Sequence, residues 1–134
     1  MAEWMIGFTN FLLLFSIALV LVALYLFVYT LATAHNEIQL IRRNNVSAAV
    51  ALGLSLIGFA LPLASAIVHA EVILDCIIWG LVALAVQILV YWLVRLLVPN
   101  LSQRIAANEL APALFVGAAS LAAGIINSAA MIFD

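Results

Sequence analysis

Few residues in this chain could do chemistry, and most of them fall in two places. His69, Glu71, Asp75 and Cys76 lie close together in one polar connection. Imidazole and carboxylate groups can hold zinc or manganese. This spacing matches no established ligand motif, so a solvated loop without metal is expected. The second place is a stripe of Asp75, Trp79, Gln87, Tyr91 and Arg95 at multiples of four residues, which puts all five on one helix face. Gln87 falls deep in an apolar run, where an amide without a partner is costly. Its expected role is a hydrogen bond to a neighbouring helix; the alternative is a place on a polar path. Tyr91 and Trp92 also fit an aromatic belt at a membrane interface. The chain has no Gly-rich phosphate loop and no His-Glu-x-x-His, and no Ser or Cys has a general base beside it in the same run. Neither enzymatic activity nor a cofactor is expected.

A second set of residues has little chemistry but a clear period. Ala113, Gly117, Ser120, Gly124 and Asn127 step by three or four along one face, and Gly58, Pro62 and Ser65 repeat the theme upstream. Small residues let helix backbones approach closely, which is what drives association in lipid. Pro62 has no N–H to give the carbonyl one turn earlier, near Gly58, and should kink its helix. Asn127-Ser128 and Ala64-Ser65 occupy matching places in these two segments, so their polar groups should face each other. Pro62, Ser65, Gln87, Ser120 and Asn127 are the candidate packing or polar-path residues.

The elements that position these groups follow from composition. The chain has 134 residues, 69% apolar and only 7% charged, against about half and about a quarter in a soluble domain. A soluble domain of this size could not hide that surface, so the solvent is lipid. Four runs reach the roughly 20 apolar residues that a spanning helix needs: about 8–29, 46–68, 76–98 and 110–133. They lack the alternation of transmembrane barrel strands. The fold class is therefore an all-α membrane protein with four transmembrane helices and one domain over 1–134. Ala32-Thr33-Ala34 has the form of a cleavage site. The residues before Phe8 carry Glu3 and no base, and the apolar run is too long for a signal core. The first run is read as an anchor.

Net charge is −2, from four Arg, no Lys and six acids, which excludes a nucleic-acid footprint. Cys76, the one cysteine, has no partner for an intramolecular disulfide. Arg42 and Arg43 lie between runs one and two, and Arg95 and Arg104 lie at and beyond the end of run three. The central connection and both termini, with Glu3 and Asp134, carry no base. Basic residues collect in cytoplasmic loops. Loops 1–2 and 3–4 are therefore expected to be cytoplasmic, with both termini outside. His35 and Glu37, followed by Ile38, Leu40 and Ile41, lead into Arg42-Arg43 as a short interfacial helix. The four arginines are candidate contacts for lipid headgroups.

The two halves also resemble each other. A shift of 63 residues aligns Asn45 with Asn108, Ala48 with Ala111, and Ser65-Ala66 with Ser128-Ala129. A two-span unit ends on the side where it began, so a tandem copy is a parallel repeat, about 1–69 and 70–134.

Glu37-Ile-Gln-Leu-Ile-Arg-Arg-Asn-Asn-Val-Ser-Ala-Ala-Val50 with Leu56-Ile-Gly-Phe-Ala-Leu-Pro-Leu-Ala-Ser-Ala-Ile67 resembles the YjfL-like family of bacterial inner-membrane proteins, domain of unknown function 350. Asp75-Cys-Ile-Ile-Trp-Gly80 with Gln87, Arg104-Ile105 with Asn108, and Gly124-Ile-Ile-Asn-Ser-Ala-Ala-Met131 fit the same pattern, and the likeness covers essentially the whole chain. In the first loop the pattern expects Gly-Asn where this chain has Asn44-Asn45. Asn tolerates positive φ, so the turn can be kept. The resemblance implies a duplicated four-span inner-membrane protein, often encoded near envelope-stress genes.

Two functions of different class follow. One is an oligomeric scaffold or accessory subunit in envelope and membrane-stress homeostasis, bound to the bilayer, to its own copies and to a peripheral envelope-stress protein. The other is a small passive channel or transporter with a path lined by Ser65, Gln87 and Asn127. An ionisable group at membrane depth would favour proton coupling, and Arg95, near a rim, is the only one placed in the four runs.

Overall fold

The computed structural model describes residues 2–33 and 36–131. Everything regular among them is helical: α1 (Glu3–Thr33), α2 (Glu37–Arg42), α3 (Val46–His69), α4 (Ile73–Leu97), α5 (Leu101–Ala106) and α6 (Leu110–Ala130). Four of these, α1, α3, α4 and α6, are long and apolar enough to cross a membrane. Lipid cannot satisfy a free peptide group, so an unbroken helix is the conformation such runs must take. The first helix has 31 residues, well beyond the 8–29 expected. At 1.5 Å per residue it is about 46 Å long, more than a hydrocarbon core of about 30 Å. His35, Phe133 and Asp134 lie outside the described residues.

The turns at the end of the bundle that carries the arginines depend on asparagine. Asn36 accepts a hydrogen bond from the Gln39 amide (3.2 Å) and caps α2, and Asn45 accepts one from Ala48 (2.9 Å) and caps α3. Asn44 takes a φ of 66°, in the left-handed region, so the Asn44-Asn45 pair does make the turn. Asn108 has the same φ of 66° after α5. The six-residue helix α5, which the sequence did not signal, stands 64 residues after α2, and α6 starts 64 residues after α3. Both spacings are one residue off the 63-residue shift that aligned the side chains.

Helix α3 is central. It packs most extensively on α6, then on α4, while α4 and α6 also touch. Helix α1 leans on α4 and α3 through its second half, where Leu21, Tyr25, Tyr29 and Thr33 are buried. The α3–α6 crossing is closest at two glycines. A Cβ on Gly58 would collide with the Ser120 carbonyl, its carbon 2.8 Å away, and one on Gly124 would meet the Gly58 backbone, with Cα at 2.8 Å. These backbones touch because neither residue has a side chain.

Candidate functional site

Polar groups are concentrated along this crossing. Helix α3 runs through Pro62 without a break, and Pro62 has no N–H to offer the Gly58 carbonyl one turn before it. That carbonyl is taken instead by Gln87 of α4. Gln87 Nε2 donates to Gly58 O and to Ser120 O, each at 3.1 Å. One fully buried amide group therefore staples α4 to both α3 and α6 where those two helices touch. Beside it, Ser55 Oγ donates to Ser120 Oγ (3.2 Å), and Tyr25 Oη donates to Ser55 O (3.4 Å). Gln87 Oε1 is buried with no hydrogen-bond partner among the described residues.

From Tyr25 the polar groups continue toward the arginine-bearing end. Tyr25 and Tyr29 lie 5.8 Å apart between ring centroids, and Tyr29 meets Tyr91 edge-on at 5.6 Å. Tyr91 Oη hydrogen-bonds the Ser102 hydroxyl of α5. Glu37, at the start of α2, is buried at the same end of the bundle. The expected interfacial helix is α2, but Glu37 does not face water or headgroups on it: the residue is fully buried. Arg42 and Arg43 on the same short helix and turn remain exposed.

Past the glycine contact, toward the other end, lies a smaller polar patch. Ser65 Oγ donates to Ser128 O at 3.5 Å, so these two segments do face each other. Ser65 and Asn127 are half-buried, and Asn127 Nδ2 makes no hydrogen bond among the described residues.

The two arginine-bearing loops hold each other directly. Asn45 Nδ2 donates to the carbonyls of Ile105 (3.4 Å) and Ala106 (3.1 Å), and Asn108 Oδ1 accepts from the Ser47 amide at 3.1 Å. Each half thus reaches across to the backbone of the other with one asparagine.

This arrangement of helices, turns and inward polar residues extends over nearly all of the chain, and a family model spans the same stretch. The Domain of Unknown Function (DUF350) model matches residues 3–131. The chain belongs to the DUF350 family. It is 44% identical over 117 residues to the inner membrane protein YjfL of Escherichia coli strain K12, covering 87% of this chain and 89% of that protein. The YjfL protein of Escherichia coli O157:H7 matches to the same extent. No solved structure matches. With four apolar helices of spanning length, this DUF350 chain is an integral inner membrane protein.

Several expected positions shift within the DUF350 bundle. The inward face of α4 is Cys76, Gly80, Ala83, Gln87, Ile88, Tyr91 and Val94. Of the Asp75-to-Arg95 stripe, only Gln87 and Tyr91 are fully inside, because 3.6 residues per turn carries a four-residue step slowly around the helix. Asp75 and Trp79 are half-buried and Arg95 is exposed. Tyr91 is a core residue rather than part of an interfacial belt, whereas Trp92 is exposed as expected. Arg104 pairs with Glu109 at 3.0 Å, and both side chains are exposed. At the opposite end, His69 and Glu71 are exposed and Cys76 is buried. His69 Nδ1 lies 2.9 Å from Ser65 O, and no group of three metal-ligating residues forms among the described residues. Tyr25, Tyr29 and Ser55 are not among the expected site residues, and Glu37 is expected only as part of an interfacial helix. A readable signal was there: two tyrosines four residues apart in an otherwise aliphatic run, with an acid eight residues later.

Proposed function

We propose that the chain is an oligomeric membrane scaffold or accessory subunit, with loops 1–2 and 3–4 on the cytoplasmic side. The observation that carries this reading is the contrast in burial between helices. Only 11% of the most apolar window of α1 is buried within the chain, against 44% for α3. Trp4, Phe8, Phe11 and Phe15 all project from the first half of α1. A helix so long and so thinly packed is suited to meet other copies or a partner span. The seam itself is a sealed packing device on this reading. A path lined by Ser65, Gln87 and Asn127 in one protomer would have to pass the Gly58–Gly124 backbone contact, which counts against the passive-channel alternative.

The orientation rests on Arg42, Arg43, Arg95 and Arg104 sharing one end. The tandem duplication, with halves at about 1–69 and 70–134, is supported by the 64-residue spacing of the short helices and by the matched φ of Asn44 and Asn108. No enzymatic activity is assigned. A peripheral envelope-stress protein remains the proposed partner, to be met at the arginine-bearing loops. The deciding experiment places Cys at Phe11 in a Cys76→Ser background and measures mass and disulfide crosslinking in lipid nanodiscs. Homo-oligomers linked through Phe11→Cys support the reading. Uniform monomers without crosslinks and without a co-purifying partner would end it.

A further inference from the structure

We propose that the cleft between the first half of α1 and the α3–α4 connection binds a phospholipid with a primary ammonium headgroup, phosphatidylethanolamine. The proposal goes beyond the scaffold reading and does not rest on it, because the whole cleft belongs to one protomer. It lies at the end of the bundle away from the arginines and has a volume of about 510 Å³. Its walls are Asn10, Leu13 and Leu14 of α1 and Glu71, Val72 and Ile73 where the chain enters α4. A cleft of this size suits a small ligand or a lipid headgroup.

The cleft exists because α1 leaves the bundle partway along its length. Asn10, Leu14, Ile17, Leu21 and Tyr25 step by three or four and share one helix face. Toward the middle of α1 that face is packed. Tyr25 and Leu21 are buried, and Leu21 fills the space a Cβ on Gly80 of α4 would need. Nearer the start of the helix the same face is open: Leu14 is half-buried and Asn10 is exposed. Asn10 stands two turns into α1, about 10 Å along its axis. An amide on the inward face of a membrane helix is expected to find a hydrogen-bond partner. Asn10 finds none among the described residues, and the Glu71 carboxylate has no ion pair among them.

Charge selects the occupant. The acids described at this end are Glu3, Glu71 and Asp75, whereas all four arginines stand at the other. His69 turns its Nδ1 to Ser65 O at 2.9 Å. The complementary group is therefore a cation, and the leucines, Val72 and Ile73 around it call for apolar mass on the same molecule. A primary ammonium has three N–H donors, which Glu71 and Asn10 Oδ1 can accept. Asn10 Nδ2 can donate to the phosphate or to an ester carbonyl of the same lipid. The acyl chains then run along the apolar walls. Phosphatidylglycerol brings no cation to this place, and the quaternary ammonium of phosphatidylcholine has no N–H to donate.

The test is native mass spectrometry of the delipidated full chain in detergent, offered dioleoyl phosphatidylethanolamine, phosphatidylcholine and phosphatidylglycerol in equal amounts. Phosphatidylethanolamine should be retained roughly tenfold above the other two, the ratio that a charge-assisted hydrogen bond provides. Glu71→Gln and Asn10→Leu should each bring it down to the level of the others, and Asp75→Asn, outside the cleft, should not. Equal retention of the three lipids by the wild type, or a preference that survives Glu71→Gln and Asn10→Leu, overturns the site. Both substituted residues are exposed, and the thermal transition in detergent reports folding; where one variant does not fold, the other decides. Soluble phosphoethanolamine at the concentration of the lipid should not compete. Competition would overturn the lipid in favour of a soluble amine, and a dimer that takes up no lipid would overturn it in favour of a second copy in the cleft.

Discussion

Helices α1 and α3 have the same solvent and nearly the same job, yet they pack very differently. Helix α1 is built mainly of Leu, Phe, Val and Ile, and its first half touches little else in the chain. Helix α3 is interrupted by Ser47, Ser55, Gly58 and Pro62, and all of these are buried. In water the more apolar helix would be the better buried one. In lipid, apolar surface is as well solvated outside the bundle as inside it. Packing is decided by how closely backbones approach and by which polar groups find partners. The α3–α6 pair has both features and forms the core, while α1 supplies tyrosines at one end and leaves its aromatic first half, with Phe11 stacked on Phe15 at 5.4 Å, outward.

That comparison can be broken most sharply at Gly124. Gly124→Leu places a branched side chain on the Gly58 backbone, and neither backbone can yield without separating the helices. Loss of the folded bundle is expected, read as collapse of the thermal transition and of resistance to protease in detergent. A change of similar size on α1, Val20→Phe at an exposed position, should leave that transition in place. Survival of Gly124→Leu with a normal transition would refute the close crossing.

Removing the staple comes next. Gln87→Leu frees two backbone carbonyls, of which Gly58 O has no helical N–H because of Pro62. An unsatisfied buried group costs about 1–3 kcal/mol, although intramembrane hydrogen bonds average only about 0.6 kcal/mol. A loss of about 1–2 kcal/mol is expected in equilibrium unfolding. Pairing it with Pro62→Ala, which restores the helical N–H, should recover part of that loss. Simple additivity of the two changes would show that Pro62 and Gln87 are not coupled through Gly58.

A smaller effect is expected where the two loops hold each other. Asn45→Ala removes a helix cap together with the bonds to Ile105 and Ala106. A cap is worth about 1 kcal/mol, and the loops should become more accessible to hydrogen exchange at Ser47 and Ala48. Unchanged exchange there would mean that the backbone alone holds the loops. The smallest effect belongs to Ser65→Ala at the opposite end, where two long contacts are lost, 3.5 Å to Ser128 O and 3.4 Å to His69 Nδ1. A change of a few tenths of a kcal/mol, close to that of substitutions away from the core, is expected by the same unfolding measurement.

Much of this was legible along the chain, and the reasons are local. Four spans follow from run length, because a backbone in hydrocarbon has to satisfy itself within each run. The small-residue faces of α3 and α6 follow from a period of three to four. The free Gly58 carbonyl follows from the missing N–H of Pro62. The Asn44 turn follows from the tolerance of asparagine for positive φ. Each is a property of neighbours in sequence.

What only the tertiary structure decided involves pairs far apart in the chain. Gln87 could have met any helix, and its two partners lie 29 and 33 residues away. Glu37 shares a short helix with Arg42 and is expected at the surface, yet it is fully buried where α2 packs on α3. Hydrophobic pattern cannot foresee that, because pattern reports what faces lipid and does not distinguish a polar residue at the rim from one turned inward. The sequence determined the four spans and which of their faces are able to touch. The close approach of two glycine-bearing backbones decided which of them do, and so where the few polar groups of the chain meet.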